Sequence, residues 1–387
     1  MSPTAPDGQL RVLHIITSLS TGGAEVMLQK LVGALDRTAY SCSVVSLTTL
    51  APIGTELQAE GFQVSAAGGR GGILLPAQFR TVLRAYRQAQ PDIVHSWMYH
   101  ANVTAQVLSQ WPLRHPKPGL ILSIRGALHA SGEQKLALRM VRKIDARLSH
   151  RAQAIVFNSR RSADQHAALG YDRDKTTVIP NCFDTVRFQP SGEERARVRQ
   201  QLGCQDRVLV GLVARFDRMK GHREFLQAAR LVANADPRCR FLLAGRGCDN
   251  RNATLMSWVR ELGLTDLLYL LGERRDMAAI DNALDIAVCS SISESFPNAI
   301  GEAMACGIPS VVTDVGDCDY LVGDTGYVAP PRDPRALADS IIRMAALPDS
   351  ARATLGAAAR QRILSEFAIE PVVQRFSRLY DSCGRRS

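Results

Sequence analysis

The chain has 387 residues, long for one domain, and 46% of them are hydrophobic, with 29 Gly and 18 Pro, a globular composition rich in turns. No apolar run reaches the 18 or more residues of a membrane-spanning helix, and Met1 to Arg11 lacks a basic signal-peptide region. Residues 1–180 hold 20 of the 47 Lys and Arg against 11 of the 37 Asp and Glu, so +9 of the net charge of +10 belongs to the first half. Nine scattered cysteines with no CxxC pair argue against a zinc site and for a reducing, cytoplasmic setting.

Strand and helix patterns alternate along the chain. Residues 11–17 read as a strand, followed by Gly22-Gly23-Ala24-Glu25 and a helix over 24–35. The glycine pair permits close backbone approach to a ligand. Short strands are expected at 41–47, 63–66, 92–95, 120–124 and 154–157, with helices between them and a flexible loop at 68–72. That rhythm predicts βαβ units and a parallel sheet.

Two places in this half carry chemistry. His95, Tyr99, His100 and Asn102 leave a predicted strand end, where open α/β sheets bind ligands, and suit a sugar or acceptor pocket. Arg125 ends the next strand and is expected to point into the same crevice. Downstream, Arg139, Arg142, Lys143 and Arg147 share a predicted helix with Leu136, Leu138, Met140 and Ile144 in the basic stretch 135–161. Such a helix either rests on an anionic membrane surface or presents a solvated face opposite a core. No nucleic-acid-binding motif accompanies the charge.

The strand into Pro180-Asn181-Cys182-Phe183-Asp184 and the polar residues 189–201 mark a domain boundary, after which the alternation restarts. A strand over 207–214 leads to Arg215 and Lys220, flanking a loop where they can neutralise a diphosphate. The strand 240–244 leads into Gly245-Arg246-Gly247, a tight turn suited to a nucleotide base. A further strand ends at Cys289, followed by a Ser-rich loop with Glu294, then Pro297 and Gly307 bounding a helix. A helix N-terminus favours an anion, and Asn298 and Glu302, four apart, share one helical face. Glu302 can bind ribose hydroxyls and Glu294 can face whatever the diphosphate carries. Another Gly- and Asp-rich loop covers 314–319, and helices are expected at 334–344, 351–367 and 369–380.

In this order, Gly22-Gly23-Ala24-Glu25, Arg215…Lys220-Gly221, Gly245-Arg246-Gly247 and Glu294-Ser-Phe-Pro-Asn…Glu302 resemble the retaining glycosyltransferases of family 4, glycosyl transferases group 1. The resemblance covers essentially the whole chain. It implies the GT-B fold: two Rossmann-like domains, 1–184 for the acceptor and 185–366 for the nucleotide sugar, facing a cleft, with residues 367–387 crossing back to the first. It implies a metal-independent transfer, with no cofactor, from a nucleotide sugar (a UDP-N-acetylhexosamine or UDP-hexose) to a glycan or lipid-linked saccharide in polysaccharide, lipopolysaccharide or glycolipid synthesis. The enzyme is then compatible with the inner face of the cell membrane. Carried over, Arg215 and Lys220 hold the diphosphate, Glu302 the ribose and Glu294 the sugar, with Phe296 in the same motif. Asn298 and Ala299 offer N–H groups, Gly245 and Arg246 approach the base, and Gly22 and Gly23 the diphosphate. Ser295, Cys182 and Arg125 depart from the usual Gly, Gly and His, so assistance from the first domain falls to His100 or His95. A GT-B nucleotide-sugar epimerase and a silent nucleotide-sugar binder are the alternatives.

Overall fold

The computed structural model describes residues 9–69, 76–111, 117–128 and 136–384, so Lys135 and residues 70–72 of the expected flexible loop lie outside the described residues. The chain divides into two units, residues 1–182 with 369–387, and 183–368. The first division falls at Cys182/Phe183, two residues before the expected position. Phe183 belongs to the second unit because its N–H donates to the Phe367 carbonyl at 2.8 Å and its ring packs on Gly301.

In the first unit the strands are β1 (Leu10–Ile16), β2 (Tyr40–Ser46), β3 (Gln63–Ala66), β4 (Ile93–Trp97), β5 (Gly119–Ile124), β6 (Ala154–Phe157) and β7 (Thr176–Val178). They form a parallel sheet in the order β3-β2-β1-β4-β5-β6-β7. Central strands such as β4 and β5 are buried along their whole length, as a sheet covered on both faces requires. One face packs Val12, Ile16 and Trp97 against the helix Ile369–Gly384 through Val372, Phe376 and Tyr380. The other packs Leu13, Val94 and Leu122 against Val82, Tyr99 and Ala105 of the helices Pro76–Ala89 and Tyr99–Leu108. The last helix therefore extends four residues past Tyr380, its expected end.

The second unit carries β8 (Val208–Val213), β9 (Cys239–Ala244), β10 (Leu268–Leu270), β11 (Ile286–Cys289), β12 (Ser310–Thr313) and β13 (Gly326–Ala329), a parallel sheet ordered β10-β9-β8-β11-β12-β13. The polar stretch expected at 189–201 is instead mostly helix, Gly192–Leu202. Ser191 accepts from the Glu194 N–H at 3.2 Å and so caps it. Its buried face includes Arg199, which donates to Asp285 at 2.9 Å and to the Ala283 carbonyl at 3.0 Å. A buried arginine in place of an aliphatic residue hides the apolar period.

Polar groups in the first core make folding pH-dependent. Burial lowers the pKa of His14 to about 3 and of His166 to about 4, and holds His95 well below its usual range. Unfolded histidines protonate near pH 6.5, so below about that pH the unfolded chain binds more protons and stability falls. Asp145 acts oppositely, since burial raises its pKa to about 7. One carboxyl offsets one histidine, not three. The melting temperature is expected to drop between pH 7.5 and 5; a level or rising value would overturn this account.

Candidate active site

In each sheet the strand order reverses once, between β1 and β4 and between β8 and β11. Chains leaving such neighbouring strands diverge to opposite sides and open a crevice at their carboxyl ends. In the second unit that crevice is framed by the loops after β8 and β11.

These two loops are tied together. The Ser290 hydroxyl donates to the carbonyls of Lys220 (3.0 Å) and Gly221 (2.9 Å), and the Ile292 N–H donates to the Met219 carbonyl at 2.8 Å. The Thr313 hydroxyl, ending β12, donates to the Ser291 carbonyl at 2.7 Å. Gly221 (φ +67) and Gly316 (φ +54) sit in the left-handed region. A Cβ at Gly221 would lie 1.9 Å from the Ser290 oxygen, and one at Gly316 2.4 Å from that of Glu294. Only glycine fits at either place.

Across this tie the Lys220 ammonium pairs with the Glu294 carboxylate. Burial opposes the charge on Lys220, but Glu294 outweighs it and the pKa is raised. Glu294 also accepts from the Ser295 N–H at 3.3 Å. Arg215, more exposed, reaches Asp217 at 3.1 Å, and Asp217 accepts from the Met219 N–H at 2.9 Å. The Arg246 carbonyl accepts from the Phe216 N–H at 2.8 Å, and a Cβ on Gly245 would lie 2.2 Å from the Ala214 oxygen, so this turn packs on the loop after β8.

The helix Asn298–Ala305 follows Pro297, which stands just outside its first turn. It ends at Gly307 (φ +78), with the Ile308 N–H on the Ala303 carbonyl and the Gly307 N–H on that of Met304, the paired closure of a left-handed C-terminus. Ile300 and Met304 are buried, while Asn298, Ala299 and Glu302 remain half-buried. Phe296, placed by sequence among donor contacts, is a core residue stacked on Phe183 (6.2 Å), so its side chain is not available there.

Sequence reasoning missed Asp281, on the helix Met277–Ala283. It is fully buried, Oδ1 has no hydrogen-bond partner, and burial, with the charge of Glu302 adding, holds its carboxyl well above the usual range. It sits amid apolar neighbours in a short helix, and no spacing signals it.

In the first unit, Gly22 caps the helix Gly23–Ala34 after β1, and His100 lies half-buried in the first turn of the helix after β4. His95, Tyr99 and Asn102, expected to line an acceptor pocket, are core residues instead. β4 runs two residues past its expected end, which puts His95 inside the sheet with its ring nitrogens on Tyr380 (2.7 Å) and Ser123 (2.7 Å). Tyr99 bonds His166 at 2.9 Å, and Asn102 donates to Asp145 at 3.0 Å. Arg125 is also buried. Its Nη1 donates to the Ile179 carbonyl (3.0 Å) and Asn181 (2.9 Å), and its guanidinium faces Trp97 and Phe376. Nε and Nη2 have no hydrogen-bond partner, and burial lowers its pKa to about 10.

A model of Glycosyltransferase Family 4 matches residues 21–187, and one of Glycosyl transferases group 1 matches residues 207–346. The chain belongs to the group 1, family 4 glycosyltransferases. It is 27% identical over 317 residues to the lipopolysaccharide core biosynthesis mannosyltransferase LpsB of Rhizobium meliloti, covering 76% of this chain and 84% of that one. It is 26% identical over 222 residues to N-acetyl-alpha-D-glucosaminyl L-malate synthase of Bacillus anthracis, a match spanning 56% of each chain. Its fold is that of Anabaena Alr3699/HepE, solved in complex with UDP, with a TM-score of 0.83 at 23% identity over 96% of this chain and all of that one.

The loop tie is open to test. Gly221→Ala places a methyl on a carbonyl oxygen in a strained backbone region and is expected to cost about 1–3 kcal/mol from strain alone. Gly192→Ala, where a Cβ meets nothing within 4 Å, is the control and is expected to be neutral. Denaturant unfolding decides; equal midpoints for the two variants would rule the tie out.

Proposed function

We propose that the protein transfers a hexose or N-acetylhexosamine from a UDP-sugar to a saccharide acceptor with retention of anomeric configuration and without a metal. The observation that carries this reading is the Lys220–Glu294 pair at the carboxyl ends of β8 and β11, beside a helix N-terminus. UDP is the nucleotide that HepE holds.

In this reading Arg215 and Lys220 take the diphosphate, releasing Glu294 to bind sugar hydroxyls. The N–H groups of Asn298 and Ala299 add to the phosphate site, Glu302 binds the ribose, and the Gly245–Arg246 turn borders the base. The bond from the anomeric carbon to phosphate breaks with its electron pair leaving on UDP. The acceptor oxygen bonds to that carbon on the same face, and its proton passes to the departing phosphate oxygen. Lys220 and Arg215 stabilise the charge that develops there. Gly22 and Gly23 keep a role in backbone approach to the ligand, and His100 stays the acceptor-side candidate. A lipid-linked acceptor in lipopolysaccharide or glycolipid synthesis belongs to the same proposal.

The helix Leu136–Leu148 supports a membrane contact as part of this proposal. Leu136, Met140 and Ile144, at i, i+4 and i+8, are 69%, 56% and 45% exposed, with Arg139, Lys143 and Arg147 exposed beside them. Arg142, expected with these cations, is instead buried over the Tyr99 ring at 4.6 Å. An exposed apolar stripe flanked by cations suits an anionic bilayer surface. Among the described residues no helix is long and apolar enough to cross a membrane.

Calorimetry with UDP, GDP and ADP tests the donor site. UDP is expected to bind, and Lys220→Met or Glu302→Ala to weaken it about tenfold or more, roughly 1.4 kcal/mol. A folded wild type that binds no nucleotide would sink the proposal. With an acceptor in hand, proton NMR of the product reads the anomeric configuration, and activity unchanged by EDTA is expected. Cosedimentation with phosphatidylglycerol vesicles is expected for the wild type and to be lost in Met140→Glu; equal binding to phosphatidylcholine would remove the electrostatic part.

A further inference from the structure

Behind the tied loops lies a cavity of about 590 Å³, lined from the loop after β8 by Phe216, Asp217 and Arg218, from the helix His222–Ala235 by its first turn, and by Trp258, Ile292 and Arg332. Its volume falls in the range of small-molecule sites, about 300–1,000 Å³. Neither Lys220, Glu294 nor Glu302 lines it.

Its walls combine two recognition chemistries. Phe216 and Trp258 have ring centroids 5.7 Å apart, and Arg223 lies over the Trp258 ring at 5.8 Å. Such an aromatic surface meets the C–H face of a sugar ring, while guanidinium groups meet its hydroxyl and charged substituents. Three arginines, Arg218, Arg223 and Arg332, line the cavity with two carboxylates. Asp217 is already engaged by Arg215 and the Met219 N–H, and the lining holds one more guanidinium than carboxylates. The helix N-terminus, whose Gly221 cap supplies no side-chain acceptor, adds a positive end. His222, which also lines the cavity, is 2% exposed; its Nε2 is 3.4 Å from the Cys248 thiol and its Nδ1 has no hydrogen-bond partner.

We propose that this cavity is a second saccharide subsite, taking a sugar unit that carries an anionic group, a phosphate or a carboxylate. The proposal rests on the reading of the protein as a glycosyltransferase acting on glycans. Because Asp217 and Ile292 come from the loops that carry Lys220 and Glu294, occupancy borders the donor loops without blocking them.

Calorimetry on the full chain saturated with UDP is the test, with glucose 6-phosphate, glucuronate, glucose and inorganic phosphate as probes. Either charged sugar is expected to bind, and Arg223→Ala and Trp258→Ala each to weaken it tenfold or more. Binding of neutral glucose or of inorganic phosphate as tight as the charged sugars would overturn the proposal, as would no binding or indifference to both variants. UDP titrated into the same two variants is expected to match the wild type. Loss of UDP binding in the wild type would strike the donor reading instead, and the two failures are thereby distinguished.

Discussion

The constraint on which the second unit's chemistry depends is the closure of one loop on another at the strand-order reversal. Gly221 and Gly316 let backbone approach backbone, and the hydroxyls of Ser290 and Thr313 donate to the carbonyls of Lys220 and Ser291, with Ser290 also reaching that of Gly221, which the Phe225 N–H already occupies. Buried carbonyls left unpaired are costly, so these hydroxyls do what water does in an open crevice. The result fixes the backbones that carry Lys220 and Glu294. Their ion pair is then a consequence of loop geometry rather than its cause.

Much of this was legible in sequence because glycine and proline mark backbone requirements directly. Gly307 predicted the end of the helix found at 298–305, and the paired closure there is the physical form of that signal. The strand rhythm was legible for the same reason that the central strands are buried on both faces: β5, β8 and β11 are short apolar runs. The loop at 314–319 was visible as Gly- and Asp-rich, but its packing on Glu294 was not, since contact between loops far apart in sequence leaves no local period.

The errors have a common cause. His95, Tyr99, Asn102 and Arg125 looked chemical because polar and charged side chains at a strand end are usually solvent-facing. Here they are core: the polarity of His95, Tyr99 and Asn102 is absorbed internally, and that of Arg125 only in part, through Nη1. His95 bridges Tyr380 and Ser123, and Asn102 joins Gln106 and Tyr171 in donating to Asp145. A polar side chain in a core reads in sequence like one in a site, because both are defined by partners that only the fold supplies. Arg142 and Arg199 are the same effect on helices, where a buried guanidinium erases the apolar stripe.

The Lys220–Glu294 pair distinguishes a site from such core networks. In the core, His95 and Asn102 are held by partners inside the fold that no ligand replaces. At the reversal, the ammonium is held by a carboxylate that is itself partly open to solvent, with Arg215 close by and largely exposed. In the proposed function, a diphosphate would offer Lys220 more negative charge than one carboxylate and set Glu294 free to accept from hydroxyls. The pair thus holds both side chains in place, so that in the proposed transfer binding would exchange one partner for another with little reordering of either. That low reordering cost is what a preorganised transfer site requires.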